Sequence, residues 1–368
     1  MIKNKGRAVG LAAVAVIWAA LSLTAVFKKP DEVSVSERRK LALKPELTAQ
    51  NVLDGKYMTE FEKYSLDQFP LRDSFRTLKA VGAFYIFGKK DNNDIYVKDG
   101  YAAKLEYPLN ETSVSHAAEK FSELYDMYIQ NTGAKAYISV VPDKNFFLAQ
   151  SGGYPCMDYY KMASVLAEGT QFAKYIDIFS QLELEDYYKT DTHWKQEKIV
   201  DAANKLLCEM GNKPLGDYTV KNAEIPFYGV YYGQSALPLP AESISYLSNT
   251  ALDGCSVTNK ETGKSYTGFI DSEKVNSSDP YEMFLSGASA VVTIENPLCT
   301  SGKELVMFRD SFGSSIAPLF LESYSKITLV DTRYIVPQFV GEFVSFSENT
   351  DVLFLYSSLV LNSSQMLR

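Results

Sequence analysis

From Ala117 to Met210 the chain switches between two hydrophobic periods, and the switching predicts helices and strands in turn. Within Ser113–Asn131, Ala117, Phe121, Leu124 and Tyr128 fall three or four residues apart, the period of an amphipathic helix. The unbroken apolar run Ala136–Val141 reads as a buried strand, ended by Pro142-Asp143-Lys144-Asn145. Tyr159–Lys174 predicts a second helix and Ile176–Phe179 a second strand. Lys195–Met210 predicts a helix with Ile199, Ala202, Ala203, Leu206 and Leu207 on one face. The pattern returns with apolar strands at Leu305–Phe308, Ile327–Val330 and Val352–Tyr356. Strands alternating with helices predict an α/β domain, a mostly parallel sheet covered by helices on both faces.

Residues 212–303 break this pattern. They are rich in Gly, Ser, Asn, Tyr and Pro and lack a helical period, while Phe227–Gln234 and Ala290–Ile294 read as strands. The segment is expected to be a β-rich insertion within one α/β domain that spans residues 57–368. Upstream, Phe61–Phe87 predicts one long amphipathic helical region with Pro70 in its first turns. Ile95–Tyr101 predicts a hairpin turning at Asp99-Gly100. Residues 30–56 read as a polar tether.

The N-terminus has a different pattern. Lys3, Lys5 and Arg7 precede an uncharged run from Val9 to Phe27, and Lys28-Lys29-Pro30 follow it. A helix over that run spans roughly 28 Å, about one hydrocarbon core. The basic flank predicts a cytoplasmic tip, a single membrane anchor over residues 1–29, and everything from residue 30 outside the cell membrane. A secretory signal cleaved near Ala20 and Ser22 is the alternative.

Charge and cysteine content narrow the function classes. A net charge of −8 opposes nucleic-acid binding, which needs a basic face. Cys156, Cys208, Cys255 and Cys299 are far apart and form no C-x-x-C, so no zinc site is expected, and disulfides and buried free thiols both remain open. No other cofactor is called for.

The chain has only two histidines. One, His193, lies in Thr190-Asp191-Thr192-His193-Trp194, and an Asp two residues before a His can orient its imidazole as a general base. The matching nucleophile is Ser311 in Phe308-Arg309-Asp310-Ser311-Phe312-Gly313-Ser314-Ser315. There an apolar strand gives way to a turn and small residues, the arrangement that exposes a serine oxygen. Arg-Asp-Ser-Phe also occurs at Arg72–Phe75, but Ser74 lies inside a predicted helix with nothing small after it. His116 falls in a charged helical segment and is expected at the surface. Asp310 is assigned no catalytic step.

Together these residues resemble the bacterial DHHW proteins and the related alginate O-acetyltransferase proteins of the SGNH-hydrolase-like superfamily. The resemblance rests on Asp191-Thr192-His193-Trp194 and Asp310-Ser311-Phe312. It extends to Phe61-Glu62, Asp67-Gln68-Phe69-Pro70-Leu71-Arg72-Asp73, Val141-Pro142-Asp143-Lys144 and Val330-Asp331-Thr332-Arg333-Tyr334. It implies a triad of Ser311, His193 and Asp191 in an order permuted from ordinary SGNH hydrolases. Two positions depart from the family: Thr192 stands where the namesake has His, and Gly287-Ala288 where Gly-Asn is usual, which removes one candidate oxyanion donor.

The resemblance implies transfer of an acyl group to an exported or wall polysaccharide, with a membrane O-acyltransferase as acetyl donor. Candidate oxyanion or substrate contacts are the Ser311 and Phe312 amides, Lys144, Arg333 and Tyr334. Tyr231 and Tyr232, beside Tyr228 in a stretch punctuated by Gly229 and Gly233, are candidates to stack on a sugar. An acetylesterase shares every step but the last. A non-catalytic polysaccharide-binding or assembly protein on the same scaffold is the rival, and would leave His193 and Ser311 apart.

Overall fold

The computed structural model describes residues 2–368, with side chains from residue 6. Of the basic flank, the side chains of Lys3 and Lys5 lie outside the described residues and that of Arg7 is exposed. The chain falls into two compact units, one formed by residues up to Asn92 with Gly233–Pro238, the other by Asn93–Tyr232 with Leu239–Arg368.

The smaller unit begins with helix α1 (Ile2–Phe27). An 18-residue window within Gly6–Phe27 has a mean hydropathy of 2.3, and the helix is long and apolar enough to cross a bilayer. A short hairpin, Val33–Ser34 against Arg39–Lys40, leads to helices α2 (Lys56–Asp67) and α3 (Arg72–Val81), and α3 runs on as a π-turn over Gly82–Ile86. The single helical region expected over Phe61–Phe87 is therefore broken. Three local causes coincide at the break. Leu71 adopts a left-handed φ of 56°, Pro70 supplies no amide hydrogen, and the buried Gln68 turns its side-chain amide onto the backbone of Asp31. Glu37 then fastens the hairpin by ion pairs to Arg72 and Arg76 of α3.

The larger unit is built on eight strands: β1 (Lys135–Val141), β2 (Lys174–Tyr175), β3 (Ser256–Asn259), β4 (Ser265–Thr267), β5 (Val291–Glu295), β6 (Glu304–Arg309), β7 (Lys326–Val330) and β8 (Thr350–Ser357). Their order across the sheet is β4-β3-β5-β7-β6-β8-β1-β2. The five strands β7, β6, β8, β1 and β2 run parallel. Strands β5, β3 and β4 extend that sheet through antiparallel pairs. Residues 212–303 thus supply three strands to the main sheet.

Both faces of the sheet are covered, as the continuous apolar strands require. Leu305 and Met307 of β6 point into one core layer with Leu329, Leu353, Leu355 and the apolar stripe of α6 (Val200–Glu209). Val306 and Phe308 point into the other layer, with Val330, Phe354 and helices α4 (Glu111–Leu124) and α5 (Tyr159–Gly169). This is the expected α/β architecture, a mostly parallel sheet with helices on both faces.

Two expected strands differ. The strand predicted at Ile176–Phe179 ends at Tyr175, because the Asp177 carboxylate accepts the Phe179 amide and turns the chain into a 3-10 segment. Phe227–Gln234 makes only a bridge at Phe227 and then a short helix, Val230–Ser235. Its amides are already committed: Gly229 N–H donates to Thr190 Oγ1, and Val230 N–H to Asp191 Oδ1. His116, expected at the surface, is half-buried and bonds Ser364 Oγ through Nδ1. The four cysteines are free thiols.

Candidate active site

The connection from β2 to α6 carries the Asp-His motif on a small closed loop. Tyr187 and Trp194 form a bridge at its base, and Tyr188 N–H donates to His193 O inside it. The half-buried Glu242 closes the loop from outside. Its carboxylate accepts the Lys189 and Thr190 amides at 2.7 and 2.8 Å and the Thr190 hydroxyl at 3.0 Å.

Ser311 reaches the same place from β6. It lies two residues beyond the strand's last residue, Arg309, and begins a tight turn into Gly313–Ile316. Asp310 pins that turn, accepting the Phe312 amide at Oδ1 and the Ser357 amide of β8 at Oδ2. A Cβ at Gly313 would lie 2.6 Å from Cβ of the buried Arg309, so only glycine lets the turn close this tightly.

The two loops meet in a continuous row of hydrogen bonds. Asp191 Oδ2 lies 2.6 Å from His193 Nδ1, and His193 Nε2 lies 2.7 Å from Ser311 Oγ. A carboxylate can only accept, so Nδ1 carries the proton and Nε2 is left to accept from the serine hydroxyl. Asp191 is fully buried and His193 nearly so, while Ser311 is half-buried and forms the outer end of the row.

Tyr281 lies flat on the imidazole, with ring centroids 3.8 Å apart and planes 6° from parallel. Its hydroxyl donates to Ser315 Oγ, which also accepts from Trp194 Nε1. Ser315 therefore joins the His loop, the Ser turn and the tyrosine behind them. Tyr281 and Glu242 had no signature in the sequence, and Gly229 stood out only as a break in the tyrosine stretch. Each is an ordinary residue type brought to the site from the 212–303 stretch.

The other candidates separate. The Phe312 amide is spent on Asp310, so it is not available to an oxyanion. The Ser311 amide has no acceptor among the described residues. Arg333 makes a two-pronged ion pair with the buried Asp331, at 2.8 and 2.6 Å, and Tyr334 is exposed beside it. Tyr231 is buried rather than offered to a sugar: its ring sits under Lys144 Nζ, and its hydroxyl donates to Thr192 Oγ1. Tyr232 is half-buried and packs on the exposed Tyr228.

Lys144 is also buried, and its Nζ donates to the carbonyls of Tyr188 and Lys189 at 2.7 and 3.1 Å. It holds the inner side of the His loop and is closed to substrate. Burial pulls its ammonium down to about 7, although Asp191, Glu242 and Asp143 pull the other way. The unfolded value is about 10.4, so from about pH 7 to 10 the unfolded chain holds the extra proton and this residue's contribution to stability grows as pH rises. The stability deficit of Lys144→Met is therefore expected to be larger at pH 9 than at pH 7 by urea unfolding. A deficit independent of pH would show that burial does not depress this lysine.

With this geometry in hand, comparison with known proteins places the chain. The family model of the DHHW protein aligns with residues 159–330, a span that holds Asp191, His193 and Ser311. That match covers a little under half of the chain. A DHHW family protein from Eubacterium siraeum superposes with a TM-score of 0.58 at 20% identity, covering 74% of this chain and 93% of that one. Bacillus cereus PatB1 with a sulfonyl adduct superposes with a TM-score of 0.57 at 17% identity, covering 74% and 95%. At such identities the likeness is one of fold. None of the curated proteins compared with the sequence matches it.

Proposed function

We propose that this chain is an extracytoplasmic, membrane-anchored O-acyltransferase that acetylates an exported or wall polysaccharide through Asp191, His193 and Ser311. The supporting observation is the unbroken hydrogen-bonded row from the buried Asp191 carboxylate to the half-buried Ser311. A polysaccharide-binding protein has no use for that row.

In the proposed reaction Ser311 Oγ attacks the acyl carbonyl of the donor while its proton passes to His193 Nε2. Asp191 holds the imidazole in the required tautomer and offsets the positive charge that develops on it. The Ser311 amide, whose hydrogen is uncommitted, is the candidate donor to the oxyanion. Collapse expels the donor's leaving group, which takes the proton from Nε2, and leaves an acyl-serine. An acceptor sugar hydroxyl then gives its proton to Nε2, attacks the acyl carbon and releases Ser311. Water in place of the sugar makes the protein an acetylesterase. Read as an uncleaved anchor, helix α1 would hold the reaction at the membrane, with a membrane O-acyltransferase as the acetyl donor.

The test uses the full chain with a chromogenic acetyl ester, with and without added glycan oligosaccharides. Acetylated oligosaccharide supports transfer, and free acetate alone supports hydrolysis. An arylsulfonyl fluoride, the reagent class matching the sulfonyl adduct of PatB1, is expected to add one sulfonyl group at Ser311 by peptide mapping. Labelling elsewhere, with Ser311 untouched, would remove it as nucleophile.

A further inference from the structure

Helix α3 presents its apolar side outward. Leu71, Phe75 and Leu78, followed by Tyr85 and Ile86 in the π-turn, recur at helical spacing and form one stripe. All five are exposed: Leu71 by 68%, Leu78 by 66% and Ile86 by 75%. The opposite side is the packed one. There Arg72 and Arg76 pair with Glu37, and Ala80 and Ala83 are buried. A solvated helix has the reverse arrangement, so this stripe calls for an apolar covering.

The position of the stripe within its own unit identifies the covering. Helix α1 ends at Phe27, and Asp31 follows after four residues, at most about 14 Å of extended chain. The Asp31 backbone is clamped by Gln68, whose Oε1 accepts the Asp31 amide at 2.9 Å and whose Nε2 donates to the Asp31 carbonyl at 2.8 Å. Lys28, at the end of α1, and Leu71, at the start of the stripe, line the same cavity of about 330 Å³. The stripe therefore starts within one small cavity's width of the point where the apolar helix ends. Lys79 and Lys89 lie exposed along it, suited to anionic headgroups.

We infer that the α3 stripe lies in the outer leaflet of the bilayer that α1 spans, at the boundary between headgroups and acyl chains. This inference rests on the anchored reading of α1. The stripe fixes the smaller unit to the membrane surface at a second point, which removes the swing that a single flexible tether would allow.

The test uses the full chain reconstituted in phosphatidylglycerol–phosphatidylcholine vesicles, with the phosphatidylcholine brominated or not. Trp18→Phe removes the tryptophan of α1, and the buried Trp194 supplies a constant background. Leu78→Trp and, separately, Ile86→Trp then report on the stripe. Brominated lipid is expected to quench each reporter by half or more, while aqueous acrylamide quenches it little. Acrylamide quenching without bromolipid quenching at both positions would show a stripe in water. Blue-shifted emission that neither agent quenches would show cover by a second copy or another protein, and would equally overturn the inference. The mass of the purified chain tests the anchor separately: a chain beginning at residues 23–30 fails the anchored reading, whereas an intact chain with unquenched reporters fails only the inference.

Discussion

Ser311→Ala is expected to lower hydrolysis of a chromogenic acetyl ester by at least about 10³-fold, while Ser74→Ala changes it by less than about twofold. The two serines share the tetrapeptide Arg-Asp-Ser-Phe, so local sequence cannot explain a difference between them. Their surroundings can. Ser74 is an exposed residue in the first turn of α3, with about two further turns of regular helix after it. Ser311 follows a strand, turns on Gly313 and offers its hydroxyl hydrogen to His193 Nε2 at 2.7 Å. In the proposed reaction, removing Ser311 Oγ removes the nucleophile. It leaves the row's other bonds in place, so the variant should melt close to the parent. Equal losses in the two variants would show that neither serine is the nucleophile.

What the sequence disclosed was what chemistry and period make local. Asp191 and His193 stand two residues apart, and Ser311 follows an apolar strand, so residue type and spacing were enough to single them out. The parallel strands were legible because both of their faces are apolar. The rest depends on partners distant in the chain. Tyr281 touches His193 from 88 positions further along the chain, roughly a quarter of its length, and nothing in Pro280–Met283 marks it. Phe227–Gln234 has strand-forming residues, yet its amides go to Thr190 and Asp191, so a ladder cannot form. Of the tyrosines there, Tyr231 serves the underside of the His loop. Lys144 ends a strand, the usual place for a substrate contact, but two backbone carbonyls take its ammonium inward.

Gly229→Ala should lower ester hydrolysis by roughly 10²-fold, although residue 229 carries no chemistry. A Cβ there would stand 2.3 Å from both N and Cα of Asp191. Backbone atoms cannot rotate away, so the Asp191 loop or the 227–230 segment must shift by the order of 1 Å. Misplacement of about 1 Å in a reacting array costs roughly 10²-fold in rate. The same shift breaks the 2.7 Å bond from Val230 N–H that orients Asp191 Oδ1. Gly254→Ala is the matched control, since a Cβ there meets nothing within 4 Å. If Gly229 acts through Asp191, adding Gly229→Ala to Asp191→Asn should lower ester hydrolysis little further, because two changes that disable one unit do not add. Melting curves separate this from simple unfolding: the expected variant remains folded at the assay temperature and inactive. A full multiplicative loss in the double variant, or normal turnover by folded Gly229→Ala, would show that the close packing of Gly229 on Asp191 is unrelated to catalysis.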